Sequence, residues 1–456
     1  MRILLWHGYL LRGSGSNVYT SNIARAWRSQ GHDVLVICQE KDASGLDYVD
    51  EIGTFDTDDS GFTTEATGVD PGPGRCRVVA PYIAGLLPVY VYDDYEGFTV
   101  KTFVDLTDAE LERYTRLNVD ALEAAISAFE PQVFITGHEV MGPFIAAEAV
   151  RSTGTPFLAK LHGSALEYAV KQQERYRHFA SVGLSAASCV VGGSEYMVGE
   201  AARYIPGWED RARVVNPGCD ADLFRPQPRL SSAPPTIGFV GKLIAAKGVH
   251  DLLASLPLVE ADDLHAVVVG YGGFGSELHD LLEALLGGRT DEARRIASSG
   301  EDGRPLAALT SFLDTDAGEP YFERARTLHV DLPGRLEHGP LSKVLPTFDV
   351  LAVPSVVPEA FGMVAAEAAA CGVLPVVPDH SGIGEVGRIL ERELDRPGLL
   401  VFDHTDPIRS LASRLSAVLR LPAKEREELG LKAVELARTR WSWTHVADRL
   451  RELASG

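Results

Sequence analysis

The sequence predicts an α/β protein made of two Rossmann-like domains, each built around a mostly parallel sheet. Three observations carry that prediction. The chain opens on a strand (2–6), a glycine-rich loop (Arg12-Gly13-Ser14-Gly15-Ser16) and a helix (17–30), then returns to a strand at 32–38, a βαβ unit with parallel strands. A proline- and serine-rich stretch, 225–235, breaks the alternation and reads as a linker. Strand and helix then alternate again from Thr236-Ile237-Gly238-Phe239-Val240. With 456 residues, 45% of them hydrophobic, the chain has material for two or three ordinary cores, so a one-domain reading is disfavoured.

Short apolar runs at 133–136, 157–161 and 189–191 continue the first sheet as buried strands with helices between them. Beyond the linker, a helix is expected near 249–256, strands at 264–269, 330–332 and 350–353, and an alanine-rich helix from about Gly362. Residues 287–328 turn polar and irregular and read as a partly helical insertion, to which no chemistry is assigned. In the last helix, 443–453, Trp443, Val446, Leu450 and Leu453 fall at amphipathic spacing, so it needs a surface to cover. No repeat in the range of roughly 20 to 50 residues marks a solenoid or propeller.

Five cysteines, Cys38, Cys76, Cys189, Cys219 and Cys371, are scattered and form no C-x-x-C pair, which points to a reducing, cytoplasmic setting. The first apolar run stops at His7-Gly8, short of a signal peptide, and prolines and glutamates interrupt 351–378, so no bilayer span is expected. A formal net charge of −21 argues against nucleic acid or an anionic membrane as the main partner. The charge concentrates in 42–112, where sixteen acidic residues face only Arg75, Arg77 and Lys101; the segment reads as a solvated acidic loop region. Tyr90, Tyr92, Tyr95 and Phe98 interleave there with Asp93, Asp94 and Glu96, a mixture suited to a cationic or hydroxyl-rich small molecule and equally to an ordinary solvated strand.

The densest chemical signal is Pro358-Glu359-Ala360-Phe361-Gly362-Met363-Val364-Ala365-Ala366-Glu367, which joins a strand to a helix. A helix starting near Gly362 leaves the N–H groups of Gly362, Met363 and Val364 free to hold a diphosphate. Glu359 then precedes the anion site and Glu367 lies one to two turns inside, where a carboxylate accepts bonds from ribose hydroxyls. Taken alone, the same residues also fit a loop glutamate and a surface glutamate. Lys242 and Lys247 follow directly on a strand end, where ligands bind in open α/β sheets, and suit a diphosphate leaving group.

These two elements, together with 330–336 and Asn216-Pro217-Gly218-Cys219-Asp220-Ala221-Asp222-Leu223-Phe224, occur in an order that resembles the retaining GT-B glycosyltransferases of family GT4. The resemblance implies two Rossmann-like domains facing each other across a cleft, an acceptor domain at 1–222, a nucleotide-sugar domain at 223–438, and a terminal helix, 439–456, returning to the first. It implies that Glu359 meets the transferred sugar, Glu367 the ribose, and Lys242 and Lys247 the diphosphate. Backbone near Arg335 and Leu336 would meet the base, Phe361, Gly362, Met363 and Val364 would complete the donor site, and Gly15 would let the first loop approach the phosphate. His138 matches the family's strand-end histidine beside the sugar, and His162 is a candidate for the acceptor side or a structural histidine. Lysine at 242 departs from the family's usual arginine and lacks its bidentate fork.

Asp220-Ala221-Asp222 spells the D-x-D of metal-dependent glycosyltransferases, but it lies in the expected interdomain connection, so no metal and no cofactor are expected. Gly270-Tyr271-Gly272-Gly273-Phe274-Gly275 looks dinucleotide-like yet lacks the acidic residue at the end of a next strand. The expected function is metal-independent, retaining transfer of a sugar from a UDP- or GDP-sugar to a soluble polar acceptor, with neither nucleic acid nor stable membrane association. A glycoside phosphorylase, a nucleotide-sugar epimerase and a non-catalytic sugar-nucleotide binder are the alternatives on the same architecture. The base, the sugar, the acceptor and the oligomeric state are not specified by the sequence.

Overall fold

The structure, a computed structural model, describes residues 1–55, 61–228 and 234–455, and separates into two compact units. The linker expected at 225–235 falls in part, at 229–233, outside the described residues. The first unit comprises Met1–Pro217 with Trp443–Gly456, the second Gly218–Ser442. These limits differ by a few residues from the expected 222 and 438. Trp441 is fully buried in the second core, and the Cys219 N–H donates to its carbonyl (2.6 Å), so both ends of the second unit are tied together just inside the boundary.

In the first unit a nine-stranded sheet is formed by β1 (Arg2–Trp6), β2 (Asp33–Ile37), β3 (Glu51–Phe55), β4 (Phe62–Ala66), β5 (Arg75–Ala80), β8 (Val133–Gly137), β9 (Leu158–Lys160), β10 (Cys189–Gly192) and β11 (Ala212–Val214). β6 (Leu86–Val89) and β7 (Thr99–Thr102) form a separate pair. The order is β11-β10-β9-β8-β1-β2-β5-β3-β4, parallel except for the β3–β4 hairpin. Every residue of β8 is buried, as an apolar run covered on both faces requires. The acidic segment 42–112 is therefore not a loop region: β5 enters the sheet beside β2, because alternate residues Cys76, Val78 and Ala80 supply an apolar face that charge counting conceals.

The helix Trp443–Ser455 buries Val446, Ala447 and Leu450 against the first unit, and the indole of Trp27 donates to the Ala447 carbonyl (3.0 Å). A longer helix, Asp108–Phe129, starts at a capping box in which Thr107 and Glu110 satisfy each other's backbone N–H groups.

The second unit has six parallel strands, β12 (Thr236–Lys242), β13 (His265–Tyr271), β14 (His329–Gly334), β15 (Val350–Ala352), β16 (Leu374–Pro378) and β17 (Val401–Phe402), in the order β14-β13-β12-β15-β16-β17. Chain direction across the sheet reverses between β12 and β15. Right-handed crossovers then place the helix Val249–Ser255, between β12 and β13, and the helix Met363–Ala370, between β15 and β16, on opposite faces. Three helices, Thr290–Ser299, Ala307–Thr315 and Glu319–Ala325, make up most of the insertion, and Ala307–Thr315 packs with Val249–Ser255 and Pro407–Leu419 on one face. Among the described residues no helix is long and apolar enough to cross a membrane.

Candidate active site

Open α/β sheets bind ligands beyond the strand C-termini at the point where strand order reverses. In the second unit that point lies between β12 and β15, and the loops leaving these two strands carry Lys242, Lys247 and Glu359. Gly248, in the left-handed region at φ +67, lets the loops touch: a Cβ there would lie 1.9 Å from the Pro354 carbonyl oxygen. The Val356 N–H donates to the Ala246 carbonyl (3.0 Å) and the Lys247 ammonium to Glu359 Oε1 (2.8 Å). Ser355 Oγ donates to the same carboxylate oxygen. The Glu359 backbone is fixed as well, its N–H donating to Ser381 Oγ (3.0 Å) and its carbonyl accepting from the Gly382 N–H (2.9 Å). His380 braces both partners, with Nδ1 3.0 Å from Ser381 Oγ and Nε2 3.0 Å from the Ser355 carbonyl oxygen.

Lys247 is thus committed to Glu359, while Lys242 is exposed at the end of β12 with no ion-pair partner among the described residues. Gly362, at φ +95, is the N-cap of Met363–Ala370, whose first backbone bond runs from the Ala365 N–H to the Gly362 carbonyl (3.1 Å). The Met363 and Val364 N–H groups precede that bond and remain available to an anion. Phe361, grouped above with the donor-binding residues, is instead a packing residue: it is buried edge-on to Trp441, 5.8 Å between centroids, and fixes the turn from beneath. Glu367 is partly buried, and its carboxyl is pushed up to about 8 by burial and secondarily by the charge of Asp220. It is no ordinary surface glutamate.

A carboxyl held above its ordinary value of 4.5 keeps a proton in the folded chain that the unfolded chain releases, so stability falls as pH rises between 4.5 and about 8. Glu367→Gln is therefore expected to raise the urea midpoint of the second domain, by a margin that widens across that window, while weakening nucleotide binding. A variant no more stable than the parent at pH 8 would show that the carboxyl is not desolvated.

Asp220 Oδ1 accepts the N–H groups of Asp222 (3.2 Å) and Leu223 (2.9 Å), so the D-x-D sequence is a turn cap here. His265, His329 and Asp331 bring possible ligand atoms within 4.8 Å of one another, as do Asp379, Asp403 and His404. The former set lies toward the opposite, N-terminal ends of β13 and β14. Past the other ends of these strands, the Arg335 guanidinium lies 4.9 Å from the centroid of Tyr271, which is 51% exposed, and pairs with Glu337 (2.9 Å); Leu336 packs on the core. Sequence reading missed Tyr271, Ser355, His380 and Ser381. Their signal was position alone, Tyr271 ending a strand of the second sheet and the other three following one.

In the first unit, direction reverses between β1 and β8, and His7 and His138 follow directly on these strands. His138 is buried, at φ +70, with its ring centroid 4.8 Å from those of His162 and Tyr90 and 5.8 Å from that of His7. Neither of its ring nitrogens has a hydrogen-bond partner among the described residues. His7 Nε2 lies 2.8 Å from Asn17 Oδ1, on the helix Gly15–Ser29 that Gly15 opens. Behind them, Glu139 accepts the Gly163 N–H (2.9 Å), and the buried Lys160 donates to the Leu161 carbonyl (2.9 Å). Burial holds all three imidazoles neutral, His7 down to about 4 and His138 and His162 well below the usual range, with Lys160 adding to the effect on the last two.

Histidines with depressed values stabilise the fold fully above their unfolded value of 6.5, and that contribution is lost as pH falls toward about 4. The first domain is expected to lose stability over this interval, less steeply in a His7→Asn, His138→Asn variant. Denaturation midpoints followed by tryptophan fluorescence check it; identical pH slopes in parent and variant would exclude the cluster as the cause.

Two domain families match the chain, a glycosyl transferase 4-like domain over residues 14–218 and glycosyl transferases group 1 over residues 324–435, which takes in Arg335, Glu359 and Glu367. The chain belongs to the GT4-like glycosyltransferases. Among curated GT4-like relatives, a D-inositol 3-phosphate glycosyltransferase of Rhodococcus opacus is 32% identical over 258 residues, a match covering 53% of this chain and 47% of that one. The chain spans about half the length of the curated relatives it matches. Sucrose-phosphate synthase from Thermosynechococcus elongatus shares the fold with a TM-score of 0.62 at 18% identity, covering 99% of this chain and 98% of that one. HepE from Anabaena, solved in complex with UDP, does so at 0.61 and 15%, covering 99% of each. Such GT-B neighbours establish the fold of this GT4-like chain as GT-B.

Proposed function

We propose that this chain transfers a glycosyl group, with retention and without a metal, from a uridine diphosphate-sugar to a small, soluble, polyhydroxylated acceptor. The observation that carries the reading is the preassembled Lys247–Glu359 pair, together with the open first turn of Met363–Ala370 and the exposed Lys242, which has no ion-pair partner among the described residues. A diphosphate on the Met363 and Val364 N–H groups has the Lys242 ammonium to neutralise the charge that develops as the glycosidic bond breaks. Glu367 accepts the ribose hydroxyls, and the Tyr271–Arg335 platform offers a flat face to the base. Glu359, fixed through backbone and side chain, orients the sugar by its hydroxyls. Within the first domain, neutral His138, whose ring nitrogens have no hydrogen-bond partner among the described residues, offers a hydrogen-bonding group to a hydroxylated ligand of that domain. Uridine is favoured by the UDP-bound neighbour HepE, and a hydroxyl-rich acceptor by the inositol-phosphate relative. Five buried, unpaired cysteines fit a cytoplasmic setting.

Incubation with UDP-glucose, UDP-N-acetylglucosamine or GDP-mannose and a panel of polyols in excess EDTA tests this directly. The expected result is UDP release dependent on acceptor, with the anomeric configuration of the donor kept in the product. Turnover restored only by Mn²⁺ would place a metal in the reaction; an inverted product, or release that requires inorganic phosphate, would replace the proposed chemistry.

A further inference from the structure

At the end of the nucleotide-domain sheet opposite the candidate active site, three metal-ligating side chains converge on one face. β14 is the edge strand, and His329 and Asp331, alternate residues on it, share a face because side chains alternate along a strand. Val330 and Leu332 take the other face and pack on the core. His265 on β13 stands directly across from His329 in the register and joins the exposed face. A single carboxylate therefore sits between two imidazoles. Asp331 Oδ2 lies 2.9 Å from His265 Nε2 and Asp331 Oδ1 3.4 Å from His329 Nε2, and the two rings are 4.8 Å apart between centroids. Among the described residues these three side chains pair only with one another.

We propose that His265, His329 and Asp331 bind one divalent transition-metal ion of the Zn²⁺, Ni²⁺ or Cu²⁺ class. Imidazole nitrogens suit these ions, whereas Mg²⁺ and Ca²⁺ require oxygen ligands. Bonds of ~2.0–2.2 Å place the ligands of a tetrahedral zinc ion ~3.3 Å apart. The three ligand atoms here already lie within 4.8 Å of one another, so a small rotation of the exposed His329 ring closes the set, with water in the fourth position. Asp331 supplies negative charge to the ion, and Asp262 and Asp263, in the turn that leads into β13, add a field of the same sign. The second set of possible ligands, Asp379, Asp403 and His404, is poorer on both counts: it has one imidazole, and Asp403 Oδ1 already accepts the N–H (2.8 Å) and the hydroxyl (2.7 Å) of Thr405.

An ion held between β13 and β14 fastens the edge strand where the chain returns from the helical insertion, a structural role. It is separate from the proposed glycosyl transfer, since β13 rises about 20 Å from His265 to Tyr271. His265 also lies outside both family matches, so the complete set is a property of this chain.

Calorimetric titration of the tag-free full chain with Zn²⁺, after EDTA treatment and desalting, measures the site directly, with Mg²⁺ as the comparator. About one Zn²⁺ per chain is expected to bind saturably, with His329→Ala and Asp331→Asn each weakening it about ten-fold or more and His404→Ala leaving it unchanged. Zn²⁺ is also expected to raise the Tm of the parent and of His404→Ala, and not that of His329→Ala at the same concentration. The side chains of His329 and Asp331 are 73% and 52% exposed, so both variants keep the fold, which circular dichroism checks. No saturable Zn²⁺ binding, binding that both substitutions leave within about three-fold of the parent, Mg²⁺ bound as tightly, or loss of the site in His404→Ala overturns the proposal. UDP titration of the same metal-free samples reads the donor site separately, so failure of the metal site leaves the transfer chemistry standing.

Discussion

Glu359→Gln is expected to lower kcat by about two to three orders of magnitude while changing donor KM by no more than a few-fold. Glutamine keeps the size of the side chain and an oxygen for Ser355 and Lys247, but it removes the charge that both donors converge on. Hydrogen bonds to a carboxylate are about twice as strong as neutral ones. Their loss loosens the one group whose backbone is clamped on both sides by Ser381 and Gly382. A residue at the reacting sugar shows this loss in turnover, whereas one at the diphosphate shows it in nucleotide affinity. Steady-state kinetics paired with UDP titration separates the two: a kcat within about three-fold of the parent, or a collapse of UDP binding, would remove Glu359 from the sugar site.

Gly362→Val is expected to cost the second domain about 3 kcal/mol or more of stability and to abolish measurable donor binding. Two independent costs add. At φ +95 any β-branched residue is strained, and a Cβ would sit 2.0 Å from Cδ1 of Ile383, which is fully buried and has little room to retreat. The relief available is a shift of the first turn of Met363–Ala370, which moves the N–H groups offered to the diphosphate. Gly273→Ala serves as the comparison, because a Cβ there meets nothing within 4 Å. Urea unfolding and UDP titration of the two variants check the prediction; a Gly362→Val chain as stable and as tight-binding as Gly273→Ala would mean that the left-handed cap is dispensable.

Much of this architecture was legible in the sequence. The strand, glycine loop and helix at the N-terminus lie within a few residues of their expected positions, because period and turn chemistry are local properties of the chain. Gly362 marked the start of the helix, though its left-handed conformation appears only in the structure, and the terminal amphipathic helix buries Val446 and Leu450 from its expected apolar stripe. The acidic segment was misjudged for an equally local reason. Sixteen acidic side chains dominate its composition, while the alternating residues that put β5 into the sheet are few.

What the sequence determined by itself, then, is the α/β alternation, the family motifs and the residue types available to a diphosphate and a sugar, all encoded in neighbours at short spacing. The tertiary structure decided which of those residues meet. Lys247 pairs with Glu359 because β12 lies beside β15, and His7, His138 and His162 share one buried cluster because β1, β8 and β9 are adjacent strands. It also decided their electrostatics: the upward shift of Glu367 and the neutrality of the three histidines come from desolvation, a property of what surrounds a side chain in space. Spacing along the chain carries no measure of that, since the neighbours that exclude water arrive only when the sheets assemble.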